Sequence, residues 1–302
     1  MNVIFMGTPD YASEILKALI ADADINVVAV YTQPDKPVGR KKVMTPPITK
    51  TVALEHGLKV YQPSRLRDET TVEELLKIDC DFIVVAAYGQ ILPKAVLDHA
   101  PCINLHASIL PYYRGASPIQ QAILNGDKET GVTAMLMDVG LDTGDILKIE
   151  KIAIADDEMV GSLFERLTAC ATGLTIDVLK NFDALTPVPQ DNTMATHCAK
   201  ITKQQGEVAF IDASALYNRY RAFTPWPGVY LESGLKLKKV TLLEREKSHR
   251  AGEILAIEDS GIVVGCEKGS LLIEVVQPVS KNEMNAVAYL NGKRLTLADT
   301  LS

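Results

Sequence analysis

Asn104 and His106 lie two residues apart at the end of a short apolar run, and both carry groups that could act on a reacting carbonyl. In a β-strand, residues i and i+2 point to the same face, so we expect the two side chains to project together. An amide donor beside an imidazole suits a carbonyl oxygen that becomes negatively charged during a reaction. For this pair alone, a hydrogen-bonded structural histidine remains the alternative.

A second polar segment follows the next apolar run and contains Asp138, Gly140, Asp142, Gly144 and Asp145. The spacing of its acids differs from the D-x-D-x-D-G pattern of a calcium loop. One interpretation is an ordinary polar turn. The other is that a carboxylate of this segment lies near the imidazole, orients its ring and favours its charged form, which would join two weak signals into one mechanism.

Several common motifs for cofactors and metals are missing from the sequence. Residues 7–10 follow the first apolar run but lack the G-x-G-x-x-G fingerprint and the G-x-x-x-x-G-K-S/T phosphate loop, so they predict a tight strand-to-helix turn and no bound nucleotide. The five cysteines are far apart and never form a C-x-x-C pair, so we expect reduced, mostly buried thiols and neither a zinc knuckle nor a disulfide framework.

The first half of the chain alternates apolar runs with helix-period segments, which predicts βαβ units and a mostly parallel, doubly wound α/β sheet. Such sheets bind ligands beyond the carboxyl ends of their strands. Both polar segments described above follow predicted strands, so we expect the ligand site to be formed there. The predicted strands cover residues 3–6, 27–31, 59–61, 82–86, 103–105 and 132–137. The predicted helices cover residues 12–20, 119–124 and 159–178.

The second half of the chain has a different texture. Residues 186–192 hold two prolines and no periodicity, which is typical of a linker. Short runs rich in Val, Ile and Leu then recur between residues 229 and 276, which predicts a small β-barrel, with OB and SH3-like barrels as the candidates of matching size. We therefore expect a first domain at residues 1–185, a linker at 186–205 and a second domain at 206–302.

Charge and hydropathy limit the classes of function. The net charge is -7, with 18 Lys and Arg against 26 Asp and Glu in residues 1–202, and 13 against 12 from Lys203 onward. This balance argues against a protein that coats nucleic acid with its whole surface, although a local basic site remains compatible with it. The apolar runs are far shorter than the roughly 20 residues of a membrane span, and the N-terminus has no leader pattern, so we expect a cytoplasmic protein with no membrane partner.

Four segments together resemble the signature of the 10-formyltetrahydrofolate-dependent formyltransferases. Residues 104–111 are NLHASILP, 114–120 are RGASPIQ, 131–133 are GVT and 137–144 are MDVGLDTG. The departures are mild, with Ala107 and Ser117 where Gly and Ala are expected. The segments at 7–10, 33–42, 87–93 and 221–228 resemble the member of this family that acts on initiator tRNA, and the likeness covers essentially the whole chain.

The resemblance implies a Rossmann-like formyltransferase domain followed by an OB-like barrel. It implies transfer of the formyl group from N10 of 10-formyltetrahydrofolate to the α-amino group of methionine esterified to initiator tRNA. We expect a monomer that needs no metal, although the sequence does not supply the oligomeric state. By resemblance, Asn104 and His106 donate to the oxyanion, while Asp142 holds His106 and accepts or relays the proton. The folate would be bound by Tyr88, Gly89, Gln90, Ile91, Leu92, Ser108, Ile109, Leu110, Pro111, Val139, Gly140 and Leu141.

Residues 36–50 form a segment with five basic residues and no acid, in a half of the chain that is otherwise acidic. Its prolines and glycine predict an irregular loop, and the resemblance implies that the loop inserts into the tRNA acceptor arm with Arg40 as a leading contact. In the second domain, alternation along a strand predicts that Lys236 and Lys238 share one face that contacts tRNA, with solvated edge lysines as the alternative. The tRNA-binding residues proposed from sequence are Lys36, Arg40, Lys41, Lys42, Lys236 and Lys238.

Two further classes of function stay open at this point. One is a non-catalytic RNA-binding protein in which the barrel binds nucleic acid, although the near-neutral charge of the tail weakens it. The other is a related enzyme that formylates a small amine or hydrolyses the formyl-folate.

Overall fold

A computed structural model describes residues 1–39 and 41–302 of the chain. Contacts between residues divide it into two compact units. The first comprises residues 1–118, 129–153 and 164–198, and the second comprises residues 119–128, 154–163 and 199–302. Within the described residues, no helix is long and apolar enough to cross a membrane.

The strands and helices follow in chain order. The strands are β1 (Asn2–Gly7), β2 (Asn26–Tyr31), β3 (Lys36–Val38), β4 (Val43–Thr45), β5 (Val60–Tyr61), β6 (Phe82–Ala86), β7 (Cys102–His106), β8 (Arg114–Gly115), β9 (Glu129–Leu136), β10 (Ile146–Ala153), β11 (His197–Cys198), β12 (Val229–Tyr230), β13 (Lys236–Glu244), β14 (Ile254–Ile257), β15 (Ile262–Gly265), β16 (Ser270–Gln277) and β17 (Met284–Asn285). The α-helices are α1 (Asp10–Ala21), α2 (Ile48–Glu55), α3 (Glu69–Leu75), α4 (Lys94–Leu97), α5 (Pro118–Asn125), α6 (Val160–Lys180), α7 (Ala213–Phe223) and α8 (Ala286–Lys293).

The first unit is built on a seven-stranded sheet in the order β10-β9-β7-β6-β1-β2-β5. The strands from β5 to β7 in this order run parallel, which confirms the Rossmann-like α/β prediction. Both faces of the sheet are buried, because Val3 and Phe5 on one face are as inaccessible to water as Ile4 and Met6 on the other. Buried parallel strands read as continuous apolar runs, which is why their positions were visible in the sequence.

The other end of the sheet departs from the expected parallel arrangement. β9 pairs antiparallel with β7, and β10 pairs antiparallel with β9. From the sequence, β9 was expected in a mostly parallel sheet, and β10 was not predicted. β10 lies at the edge of the sheet and alternates Lys and Glu with Ile, so only Leu147 among its residues is buried. An edge strand that is exposed on one face and carries charged residues lacks the continuous apolar run by which the other strands were predicted.

A hydrophobic core packs against one face of the parallel strands. It joins alternate residues of β1 and β6, such as Ile4, Met6, Ile83 and Val85, to the ring of Tyr31. Tyr31 stacks on Tyr61 with ring centroids 4.7 Å apart. The core therefore fixes the middle of the sheet, beside the strand that carries Asn104 and His106.

The second unit contains an antiparallel sheet with the strand order β12-β13-β16-β15-β14, and β17 pairs with β16. Its core gathers alternate apolar residues of β13, β15 and β16, together with residues of α7 and α8. Each of these two helices begins with a side-chain cap, as Asp212 accepts from Ala215 N and Asn285 accepts from Val287 N. The structure confirms the predicted small β-domain in the second half of the chain.

Replacing Ile83 by Ala tests the role of the central core. Ile83 is fully buried in β6, so its truncation leaves a cavity and we expect the free energy of unfolding to fall by about 2–5 kcal/mol. Urea unfolding followed by circular dichroism measures the change. Ile91→Ala is the matched control, because Ile91 is 82% exposed and its loss is expected to change the free energy by about 0.5 kcal/mol or less. Equal effects of the two variants would contradict this account of the core.

Candidate active site

Strand β7 positions Asn104 and His106. It lies between β6 and β9, with Asn104 opposite Met135 and His106 opposite Thr133 across the antiparallel pair. His106 is 7% exposed, whereas Asn104 is half-buried. The two side chains lie on the same face of the strand, about 7 Å apart along it. The amide of Asn104 makes no hydrogen bond to the described residues, so its donors are available to a ligand.

The His106 ring is held by one hydrogen bond of its own. Its Nε2 donates to the carbonyl oxygen of Tyr113 at 2.9 Å. A carbonyl oxygen can only accept, so Nε2 carries a proton and Nδ1 is the ring nitrogen left for other contacts. The Cys198 thiol donates to the same carbonyl oxygen at 3.3 Å. Burial raises the pKa of the Cys198 thiol, which keeps it protonated and able to donate.

Asp142 lies on the Nδ1 side of this ring. Its Oδ2 is 3.7 Å from His106 Nδ1 and accepts a hydrogen bond of 2.8 Å from the backbone N–H of Gly115. The side chain of Asp142 is only 12% exposed. The structure therefore brings together the imidazole and the carboxylate that were proposed as partners from the sequence. Their separation is within the range of an ion pair but is too long for a hydrogen bond.

The loop that carries Asp142 takes an unexpected route. Because β9 is antiparallel to β7, its last residue, Leu136, lies opposite Ile103 near the start of β7. The loop between β9 and β10 must therefore turn back along the sheet to bring Asp142 to the ring at the end of β7. The expected position of this loop, beyond the carboxyl ends of parallel strands, is wrong because β9 is antiparallel, although Asp142 does reach His106.

The residues expected to bind folate divide between buried and exposed positions in the segment after β6. Tyr88 and Leu92 are 2% and 3% exposed and pack into the core of the sheet. The Gln90 side chain accepts from Leu66 N and donates to Pro63 O. Gly89 and Ile91 are exposed. Side chains at three of the five positions thus stabilise the loop, and a ligand there would meet mainly backbone groups and Ile91.

The other two segments expected at the folate site also differ from each other. Ser108 is fully buried, and its hydroxyl donates to Tyr112 O at 2.6 Å. Ile109 and Pro111 are half-buried and Leu110 is buried. In the loop after β9, Val139 and Leu141 are 74% and 65% exposed on either side of Gly140. These two exposed apolar side chains are available to cover a ligand.

Models of two protein families match the chain over most of its length. One is described as formyl transferase and matches residues 1–179, and the other as formyl transferase, C-terminal domain, and matches residues 200–294. The chain belongs to the formyl transferase family. Asn104, His106 and Asp142 all fall within the first match.

Relatives and solved structures agree with this assignment. The chain is 64% identical to a methionyl-tRNA formyltransferase of Sulfurimonas denitrificans, with 100% of both chains covered. It is 55% identical to one of Nitratiruptor sp., with 99% of both chains covered. An N-formyltransferase from Helicobacter canadensis, solved with folinic acid and dTDP-3-aminofucose, superimposes with a TM-score of 0.69 at 18% identity, covering 90% of this chain and 98% of that one. At that identity the likeness concerns the fold alone.

The basic segment of this formyl transferase is more regular than the sequence predicted. Strands β3 and β4 form an antiparallel hairpin in which Val38 lies opposite Val43. Both strands of this two-stranded hairpin are edge strands. Proline is tolerated in an edge strand, because its missing N–H costs no hydrogen bond to a neighbouring strand. Lys36, Lys41 and Lys42 are exposed. Arg40 lies outside the described residues.

Lys50 differs from the other basic residues of the segment because its charge is paired. Its Nζ donates to both carboxylate oxygens of Asp35, at 2.9 and 2.8 Å. Gln62 Nε2 donates to the same carboxylate at 2.7 Å. Hydrogen bonds from Gln62 and Lys50 hold the pKa of the Asp35 carboxyl below its usual range. This cluster joins the residue before β3 to helix α2 after β4, and so closes the base of the hairpin.

The two lysines expected to bind tRNA in the second unit are unequal. Lys238 forms an ion pair of 3.0 Å with Glu283, whereas Lys236 has no ion-pair partner among the described residues. A register shift between Leu237 and Lys239 interrupts the alternation of β13 at Lys238. Residues of β13 therefore do not alternate strictly between the two faces of the sheet. The prediction that the two lysines share one face depended on that alternation.

No group of three or more His, Cys, Asp or Glu side chains that could hold a metal ion occurs in the described part of the chain. The five cysteines are free thiols, three of them buried, as the sequence predicted. Burial raises the pKa of Cys102 to about 12, so this thiol stays protonated near neutral pH.

Asp35→Asn tests the cluster at the base of the hairpin. The variant removes the charge that Lys50 binds, so we expect faster amide hydrogen exchange in residues 36–45 at neutral pH. In the native protein the same loosening is expected on acidification, because a carboxyl with a lowered pKa stabilises the fold above its ordinary value of about 4 and loses this effect as pH falls through the lower value. Asp98→Asn, which breaks the exposed ion pair with Lys94, is the control. Unchanged exchange in Asp35→Asn would refute the anchoring role.

Proposed function

We propose that this protein transfers the formyl group of 10-formyltetrahydrofolate to the α-amino group of methionine on initiator tRNA, and so produces N-formylmethionyl-tRNA for translation initiation. The observation that carries the proposal is the 64% identity, over the full length of both chains, to a methionyl-tRNA formyltransferase. The convergence of His106 and Asp142 in the first unit supplies the chemistry. We expect the enzyme to act in the cytoplasm as a monomer.

The reaction places two requirements on the protein. When the amine attacks the formyl carbon, the oxygen becomes negative and the nitrogen becomes positive, so the protein must stabilise the first and remove a proton from the second. The free amide of Asn104 is suited to donate to the oxyanion. His106 can contribute from Nδ1, because Nε2 is occupied by the Tyr113 carbonyl.

Asp142 is suited to two tasks in this scheme. Its Oδ2 lies 3.7 Å from His106 Nδ1 and so helps to orient this side of the ring toward the oxyanion. It can also accept the proton that leaves the attacking amine, directly or through water. The Gly115 N–H that binds Oδ2 keeps the carboxylate oriented while it does so.

We propose that the folate is bound largely by the backbone. The segments 88–92, 108–111 and 139–141 offer peptide groups suited to the donors and acceptors of a pteridine ring, while Ile91, Val139 and Leu141 offer exposed apolar side chains. The buried side chains of Tyr88 and Leu92 would support this surface from below and make no direct contact.

We propose that the hairpin contacts the tRNA. Lys36, Lys41 and Lys42 are exposed lysines without ion-pair partners among the described residues, in a chain of net charge -7. Such a local cationic element attracts a polyanion that the remainder of the surface repels. In the second unit, Lys236 is better placed than Lys238 for this role, because Glu283 already neutralises Lys238.

Substitutions of the three catalytic candidates test the chemistry. Asn104→Ala, His106→Ala and Asp142→Asn should each lower kcat by about 100-fold or more, because each removes a group that acts on the developing charge. Formylation of charged initiator tRNA is compared with transfer to glycinamide ribonucleotide and to water. Asp98→Asn, in an exposed ion pair, serves as control. Near-native turnover in Asp142→Asn would exclude the assigned role of this carboxylate, and transfer to the small amine or to water alone would exclude the proposed acceptor.

Charge reversal in the hairpin tests tRNA binding. Lys41→Glu should raise KM for tRNA, leave the affinity for folate unchanged, and reduce the salt slope of log kcat/KM by about 1 for each phosphate that the protein no longer binds. Lys94→Glu makes the same change in net charge elsewhere on the first unit and should have a smaller effect. In the second unit, Lys236→Glu should raise KM more than Lys238→Glu. Equal responses of Lys41→Glu and Lys94→Glu would assign the effect to overall charge instead of the hairpin.

A further inference from the structure

We propose that Gln190 is a positioning residue for formyl transfer. Its side-chain amide holds the backbone of the loop that carries Asp142, and through that backbone it sets the carboxylate beside His106. This inference rests on the proposed function, and it concerns a segment that the sequence analysis assigned to the linker. Gln190 acts here through other groups, because its hydrogen bonds go to Arg114 and to backbone carbonyl groups and not to His106 or the Asp142 carboxylate.

Both ends of the Gln190 amide are engaged. The Nε2 group donates to the carbonyl oxygens of Asp142 and Gly144, at 3.0 and 2.7 Å. The Oε1 atom accepts from Nε and from a terminal nitrogen of Arg114, at 3.1 and 2.8 Å. One side chain therefore links the catalytic loop to strand β8.

The chemistry of these partners selects glutamine. A guanidinium has only donors and a backbone carbonyl has only an acceptor, so the amide fits in a single orientation. Glutamate could bind Arg114 but could not donate to the two carbonyl oxygens. Lysine could donate to them but could not accept from Arg114. Asparagine is shorter by one methylene group.

Burial of Arg114 makes the attachment rigid. Arg114 is 4% exposed, and the nitrogen that binds Gln190 also donates to Asn192 Oδ1 at 2.9 Å. The next residue, Gly115, donates its N–H to the carboxylate of Asp142. Strand β8 thus holds the Asp142 residue twice, once by its side chain and once, through Gln190, by its backbone.

The Asp142 loop requires such attachment. Asp142 has a φ of +54°, a left-handed conformation that costs a non-glycine residue free energy and persists only where its surroundings impose it. Gly144 approaches Leu136 so closely that a Cβ there would lie 1.6 Å from the Leu136 carbonyl oxygen. The loop also turns back against the direction of β9. Two hydrogen bonds to its carbonyl groups oppose its relaxation.

Two variants of Gln190 and one matched control separate its roles. Gln190→Ala removes every hydrogen bond of this side chain, whereas Gln190→Glu keeps an acceptor for Arg114 and removes both donors to the loop. Asn192→Ala removes an acceptor from Arg114 and leaves the hydrogen bonds to the loop in place. We expect both Gln190 variants to lower kcat by about tenfold or more with KM for both substrates within about twofold, because small displacements of a reacting group are costly. Asn192→Ala should retain native kcat.

A readout without turnover tests the same claim. Amide hydrogen exchange in residues 138–145 should be faster in both Gln190 variants and unchanged in Asn192→Ala. If the native protein fails to formylate charged initiator tRNA, the proposed function is wrong, while this measurement still decides whether Gln190 holds the loop. Native exchange rates in both Gln190 variants would overturn the inference.

A double-mutant cycle with Asp142→Ala decides whether Gln190 acts through that residue. If it does, adding Gln190→Ala to Asp142→Ala should cost no further activity in single-turnover assays. If Gln190 had only a structural role, Gln190→Ala would lower the activity of Asp142→Ala further. It would also lower the melting temperature of both the native protein and Asp142→Ala. Additive losses, or native kcat in Gln190→Glu, would overturn the proposal.

Discussion

The hydrogen bond from His106 Nε2 to the Tyr113 carbonyl oxygen is the constraint on which the candidate active site depends. It assigns the proton on one ring nitrogen and turns the other toward Asp142. The carbonyl that accepts it precedes β8, which is held by pairing with β11 and by the Cys198 thiol. An imidazole without this partner would be free to rotate about its χ2 bond, and the 3.7 Å approach to the carboxylate would be one of several arrangements.

The antiparallel strand β9 explains why the site needs so many attachments. In a fully parallel sheet, loops at the carboxyl edge lie side by side without further help. Here the loop with Asp142 begins beside the start of β7 and has to return along it. A left-handed backbone at Asp142, a close contact at Gly144 and hydrogen bonds from Gln190 and Gly115 are the local features that accompany this return.

The sequence predicted the elements whose signal is local. Continuous apolar runs marked β1, β2, β6 and β7, and i, i+2 spacing placed Asn104 and His106 on one face. It missed β10, whose Lys and Glu residues hide an edge strand. Pairings between distant segments were invisible, because nothing near Gln190 or Asp35 in the chain indicates Arg114 or Lys50. Composition also cannot distinguish an apolar side chain that lines a ligand site from one that packs beneath it, so the burial of the Tyr88 and Leu92 side chains could not be foreseen from the sequence.

The pairing of β8 with β11 has a consequence for the synthesis of the chain. Asn104, His106 and Asp142 are translated well before Gln190 and Cys198, the latter 85 residues beyond the Tyr113 carbonyl that it binds. While the ribosome is still adding residues between Asp142 and Gln190, the nascent chain contains every candidate catalytic group but neither the clamp on the loop nor the partner of β8. If Gln190 holds the loop as proposed, we expect catalytic competence to come late in the life of each new molecule, after the segment up to residue 198 has left the exit tunnel and folded back on the sheet.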